Sequence, residues 1–164
     1  MNQSNISSKY IELLKKSLVN LMYIEEEAKQ LSILSKVLNN HPIGLESFYH
    51  GNIEKEVLNH LHKGKQTGDV ILVAKLQPDG SHLFDNEIRN YSEVAHSMIG
   101  LARLNNLQFC IEQIIAHQVL GDFVETGIWR GGACIFMNGL LHAHGESGRK
   151  IWAADSFEGV PNPL

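Results

Sequence analysis

The apolar residues of this chain are spaced first for helices and only later for strands. Ile11, Leu14, Leu18, Leu21 and Met22 recur at i, i+3, i+4 steps, which predicts an amphipathic helix from near Lys9, capped by Ser7 or Ser8. Glu25-Glu-Glu27 reads as a solvated run, and the helical spacing resumes at Leu31, Leu34 and Leu38 until Asn39-Asn-His-Pro42 stops it. A second helix is expected from Asn52 to His62, with Ile53, Val57, Leu58 and Leu61 on one side and a loop over Gly64 to Gly68. Asp69 to Leu76 has strand composition, and the turn signal Pro78-Asp-Gly80 precedes a short run, Ser81 to Phe84. That is a small β-hairpin, for which a lid, a dimer contact and simple filler are all open. Helix returns over Ser92 to Ile99 and again over Ala102 to His117, where Leu104, Leu107, Cys110, Ile111, Ile114 and Ile115 face a core.

The pattern then changes. Asp122 to Thr126 is a short apolar strand, followed by a turn through Gly127, Gly131 and Gly132 and a helical run from Ala133 to His144. A polar break leads into a second strand, Ile151 to Ala154, ended by Asp155. Strand, glycine-rich turn, helix, strand and acidic residue make the first βαβ unit of a nucleotide-binding α/β sheet. The glycines let backbone pass close to a ligand, and the helix start aims free N–H groups and its positive dipole end at negative or polar ligand groups. An acidic side chain at the tip of the second strand can accept both hydroxyl protons of a ribose.

The glycine spacing narrows the ligand. The dinucleotide pattern Gly-x-Gly-x-x-Gly is absent, as is the Gly-Lys-Ser/Thr of a P-loop; the chain has Glu-Thr-Gly-x-x-x-Gly-Gly instead. A carboxylate just before the glycines suits a ligand with a cationic end, such as the ammonium and sulfonium of S-adenosylmethionine, better than a pyrophosphate.

The words themselves say more. AHSMIGLARLNNLQ from Ala95, then GDFVETGIWRGGACIFM and ADSFEGVPNP, closely resemble the macrocin O-methyltransferase family. Its members are S-adenosylmethionine-dependent, magnesium-requiring enzymes that methylate sugar hydroxyls of natural products. The close match runs from Ala95 to Pro163, and YIELLKKSLVNLMY resembles the family's N-terminal helix. The resemblance implies an α/β fold: a mainly helical region over residues 1–94, with the hairpin near 69–84, then the start of a Rossmann-like class I methyltransferase sheet over 95–164. It also implies a truncated chain, since the family's magnesium ligands and catalytic carboxylates lie on later strands. No metal ligand and no general base are therefore assigned. A small glycosylated acceptor and a homo-oligomer are the implied partners. Two other classes stay open: a non-catalytic remnant or cofactor-binding module, and an NAD- or nucleotide-sugar-linked enzyme, against which the missing Gly-x-Gly argues.

The resemblance assigns Glu125, Thr126, Gly127, Ile128 and Trp129 to the cofactor cradle, Asp155, Ser156 and Phe157 to the nucleoside, and Ser97 and Met98 to a segment folded over the cofactor. Each has a plainer reading beside it. Glu125 can cap the glycine turn, Asp155 can cap a following helix, Trp129 can cover the sheet edge and Phe157 can pack in the core. Arg130 faces either the cofactor carboxylate or solvent. Of the nine histidines, His60 and His62, like His142 and His144, sit two apart on helices, where side chains diverge, so a metal site is not expected. His96 is the histidine nearest the expected site, in a hydrogen-bonding role.

Composition removes several classes without adding a function. With 43% apolar and 20% charged residues and a net charge of −4, neither nucleic acid nor a membrane surface is an expected partner. The polar N-terminus and the lack of a long apolar run predict a cytoplasmic protein. Cys110 and Cys134 read as reduced packing residues on helices.

Overall fold

The structure, a computed structural model, describes residues 3–49, 53–69, 71–83, 89–90 and 94–159. Among these residues, five α-helices and six short strands run in the order α1 (Gln3–Leu18), α2 (Ile24–Leu38), α3 (Lys55–Thr67), β1 (Ile71–Leu72), β2 (Lys75–Leu76), β3 (His82–Leu83), β4 (Arg89–Asn90), α4 (Gly100–Ala116), β5 (Phe123–Thr126), α5 (Gly132–Ala143) and β6 (Ile151–Ala154), with a 3-10 turn at Leu45–Phe48.

The last three elements carry the architecture. β5 and β6 pair in parallel, Phe123 opposite Ile151 through Thr126 opposite Ala154, with α5 as the connection between them. Phe136, Met137, Leu140 and Leu141 of α5 form a core with Ile11, Leu18 and Val19 of the α1 end and Leu104 and Ile111 of α4. Phe123 and Ile151 pack against that core from the sheet. The opposite face of the sheet is open: Val124 and Trp152 are more than half exposed.

A second, smaller core joins Ile24, Ala28 and Leu31 of α2 to Leu61 of α3 and Val73. Leu21 touches both cores. The two helical regions also meet backbone to backbone where α3 ends and α4 begins. A Cβ on Gly100 would fall on Gly68 N and lie 2.8 Å from Gly68 Cα, so both positions must be glycine for the helices to approach this closely.

Several expectations change in detail. α1 starts at Gln3 rather than near Lys9, and it ends at Leu18 because the chain turns through Asn20 at φ +58°, a conformation asparagine tolerates. Met22 therefore lies beyond the helix and is 51% exposed. Glu27 is not solvated. It is 3% exposed, accepting Lys65 Nζ at 2.8 Å and Asn20 Nδ2 at 2.9 Å, and this pairing explains how an acidic run also serves a core. α3 continues through the expected Gly64–Gly68 loop and stops where Gly68, at φ +83°, donates its N–H to Gly64 O.

The hairpin is present as β2 and β3, paired antiparallel around Gln77–Ser81. The longer strand expected from Asp69 is split into β1 and β2, with β1 pairing β4. Phe84, Asn52 and Ser92 lie outside the described residues. The helix expected up to Ile99 does not form over 94–99, because the amides of His96 and Ser97 both donate to Leu18 O, at 2.9 and 3.0 Å, instead of to a preceding helical turn. On α4, Cys110 is exposed rather than core-facing.

Candidate functional site: the carboxyl ends of the parallel strands

Hydrogen bonds across the strand ends hold the glycine loop. Gly127 N–H donates to Ala154 O at 2.9 Å, carrying the parallel ladder one residue past the sheet. Ile128 N–H then donates to Asp155 Oδ2 at 2.7 Å, and Gly131 N–H turns back onto Ile128 O at 2.7 Å. Gly127 and Gly131 have φ of +78° and +75°. Trp129 shares this left-handed region at φ +46°, an unusual conformation for a bulky residue that marks a constrained loop.

Asp155 is the organising side chain. Its Oδ1 accepts Phe157 N–H at 3.0 Å while Oδ2 holds Ile128. These amides, Phe157 first and then Ile128, hold its carboxyl below the ordinary carboxylate range. Each oxygen keeps a further lone pair for a ligand hydroxyl. The capping roles weighed in the sequence are thus redistributed: Asp155, not Glu125, secures the glycine loop, and no helix follows Asp155 among the described residues.

Glu125 instead meets Cys134, whose thiol donates to Oε2 at 3.0 Å from the first turn of α5. Burial, then the Glu125 carboxylate, pushes that thiol up to about 11, so it stays protonated and acts as a donor. This contact was not read from the sequence, where Cys134 was a packing residue. A small residue in the first turn of a helix lying on the strand before it is the signal that was available.

The 95–98 segment closes one side. A Cβ on Gly132 would fall on the His96 carbonyl oxygen and 2.6 Å from Ser97 Cβ, so the segment lies directly on the start of α5. Ser97 is buried and its hydroxyl oxygen accepts Ile99 N–H, whereas Met98 is 45% exposed. Arg130 Nη1 donates to Ala95 O at 3.2 Å, and its guanidinium lies 4.7 Å from the Trp129 ring centre. Arg130 thus leans on this segment while remaining exposed. Thr126 is exposed at the end of β5 and Ile128 is half-buried. Ser156 accepts Glu158 N–H with its hydroxyl oxygen at 3.3 Å. Phe157 is 74% exposed at φ +57°, which corrects its core-packing reading and leaves the ring accessible beside Asp155. Ser97, Glu125, Gly127, Ile128, Trp129, Asp155 and Phe157 are thus linked through one loop and its supports.

Residues 7–164 match the macrocin O-methyltransferase family. The chain belongs to that family. Against curated relatives, this chain is matched over a shorter stretch. It is 58% identical over 73 residues to 8-demethyl-8-(2,3-dimethoxy-alpha-L-rhamnosyl)-tetracenomycin-C 4'-O-methyltransferase of Streptomyces olivaceus, covering 44% of this chain and 28% of the relative. It is 53% identical over 77 residues to demethyldecarbamoylnovobiocin O-methyltransferase of Streptomyces niveus, covering 47% and 29%. It is 56% identical over 72 residues to mycinamicin III 3''-O-methyltransferase of Micromonospora griseorubida, covering 44% and 28%. The matched stretch spans under a third of each of these relatives. The fold is similar to the solved structure of the O-methyltransferase NovP, with a TM-score of 0.55 and 32% identity over 94% of this chain and 44% of that one.

Among the described residues, no group of three or more His, Cys, Asp or Glu is placed to hold a metal ion, and no helix is long and apolar enough to cross a membrane.

Proposed function

We propose that this chain carries the cofactor-binding part of an S-adenosylmethionine-dependent O-methyltransferase that methylates a sugar hydroxyl of a glycosylated natural product. The observation that carries the reading is the placement of Glu125 and Asp155 at the carboxyl ends of two paired parallel strands, flanking the Gly127–Gly132 loop. Ligands of open α/β sheets bind outside those strand ends. In this reading β5, α5 and β6 are the first βαβ unit of a Rossmann-like class I methyltransferase sheet, residues 95–164 begin that domain, and residues 1–94 form the helical lobe beside it.

The available groups fit S-adenosylmethionine. Asp155 accepts the ribose hydroxyls with its remaining lone pairs, and the accessible Phe157 ring and Ser156 flank the adenine. Glu125 attracts the cationic methionine end, with Thr126, Gly127, Ile128 and Trp129 as the backbone wall. Ser97 and Met98 cover the opposite side. The bound cofactor supplies the methyl group for transfer to the acceptor oxygen. The Mg²⁺ dependence follows from the family resemblance alone, and no described residue is assigned to the metal or to the general base. The acceptor is a small glycosylated molecule, as the names of the relatives indicate for those proteins. The exposed apolar side chains of α1, Ile6, Tyr10 and Leu13, support a homo-oligomer, and the charge and composition support a cytoplasmic setting.

Calorimetric titration with S-adenosylhomocysteine, with Asp155→Ala as control, tests the reading. Saturable binding that disappears in the variant supports it; wild-type chain that takes up no ligand, or binds equally well with Asp155 removed, overturns it.

A further inference from the structure

Glu125 and Cys134 hold a relationship that the family pattern does not explain. Glu125 sits half-buried on β5, and its Oε2 is taken by the Cys134 thiol at 3.0 Å. The described residues provide no hydrogen-bond or ion-pair partner for Oε1. One oxygen is therefore anchored and the other is presented, at the end of the strand where the glycine loop begins.

We propose that Cys134 is a positioning residue for cofactor binding: its thiol fixes the Glu125 carboxylate in the rotamer that presents Oε1 to a cationic ligand group. The inference rests on the S-adenosylmethionine reading of the loop and deepens it by naming what orients the acid. A thiol suits the task because it is a weak, neutral donor. A lysine or arginine at this place would neutralise the carboxylate and compete with the ammonium or sulfonium of the ligand. A hydroxyl donates more strongly but is shorter. An apolar residue leaves the acid free to rotate, and the entropy of fixing it then opposes binding. Cys134 itself is held by α5, whose Phe136, Met137 and Leu140 are buried in the main core, so the donor comes from a rigid element.

Two measurements test this on the full chain. In a Cys110→Ser background Cys134 is the one remaining thiol, because the sequence has two cysteines. Its alkylation by iodoacetamide at mildly alkaline pH is expected to be slow and to become at least about threefold faster in Glu125→Gln, as the neighbouring charge is removed. An unchanged rate means that the two side chains do not communicate, and overturns the proposal whether or not ligand binds. In the second measurement, S-adenosylhomocysteine is titrated into Cys134→Val, which keeps volume without a donor, and Cys134→Ser, which restores one. The valine variant is expected to bind about tenfold more weakly and the serine variant within about threefold of wild type, in line with a hydrogen bond to a charged group. Equal binding by wild type and the valine variant, with unchanged melting, overturns the positioning role while the cofactor reading stands. Wild-type chain that fails to bind, with the Glu125 effect on alkylation intact, overturns the cofactor reading and this proposal with it.

Discussion

Ile128 N–H donates to Asp155 Oδ2 at 2.7 Å, so one carboxylate joins the glycine loop after β5 to the end of β6. The bond spans 27 residues of sequence and closes the far end of a strand pair whose near end is held by the Asp122 carboxylate, which accepts Lys150 N–H and Trp152 Nε1–H. Asp155 therefore shapes the site before any ligand arrives.

That double duty separates two substitutions. Asp155→Asn keeps one acceptor oxygen for Ile128 and is expected to retain the loop while weakening S-adenosylhomocysteine binding about tenfold, since a charged acceptor is lost. Asp155→Ala removes both and is expected to abolish binding. Calorimetry with amide exchange at Ile128 distinguishes them: protection at Ile128 persists in the asparagine variant and falls in the alanine variant.

The same carboxylate sets an acid limit. Its folded value is lowered by the Phe157 and Ile128 amides, so its contribution is present above the unfolded value, about 3.9, and is lost as pH falls through the lower folded value. Ligand affinity attributable to Asp155 is expected to stay flat from neutral pH to about pH 4 and to fall only at more acid pH, as the lowered folded value is crossed. A titration series across that window, against Asp155→Asn, checks it.

At the alkaline end Cys134 acts with the opposite sign. Its folded value is raised to about 11 by burial and by Glu125, so its share of stability is complete below the unfolded value and declines as pH rises toward the folded one. Melting temperature is expected to drop between about pH 9 and 11 in Cys110→Ser, and the drop to shrink in Cys110→Ser/Cys134→Val.

Gly132→Ala tests the close approach of the 95–98 segment. The added methyl meets the His96 carbonyl and Ser97 Cβ, and backbone must move to admit it. Destabilisation of about 1–3 kcal/mol is expected from such overpacking, read by urea unfolding, together with weaker ligand binding because Ser97 and Met98 are displaced.

Lys65→Met probes the link between α2 and α3. The ammonium lies 2.8 Å from the nearly buried Glu27 carboxylate, and removing one partner of a buried pair costs about 3–5 kcal/mol. The double variant Glu27→Gln/Lys65→Met is expected to recover most of that loss. Guanidinium is unsuitable here because it screens charge, so urea midpoints are the check.

The frame of the candidate site was legible in the sequence wherever local chemistry decided it. Glycine spacing located the loop between Thr126 and α5, and strand composition located Ile151–Ala154 to the residue. What escaped was set by contacts between distant segments. Glu27 looked solvated because Lys65, its partner, lies 38 residues away. The 94–99 segment looked helical because nothing local announces that Leu18 O takes two of its amides. Cys134 looked like packing because the Glu125 contact exists only once α5 folds back on β5. Arg130 reaches the Ala95 carbonyl 35 residues away, a contact that nothing local announces.

The pair of hydrogen bonds donated by His96 N–H and Ser97 N–H to Leu18 O also bears on how this molecule can be divided. The carbonyl belongs to the last turn of α1, and Ile11 and Leu18 of that helix share a core with α5. Beginning the chain at Ala95, to isolate the glycine loop and its strands, would strip the anchor from the segment that lies on Gly132 and open the core behind it. The first helix is thus the rear wall of the glycine loop, and a piece cut to keep that loop in place has to start with α1, although α1 ends more than a hundred residues before β5 begins.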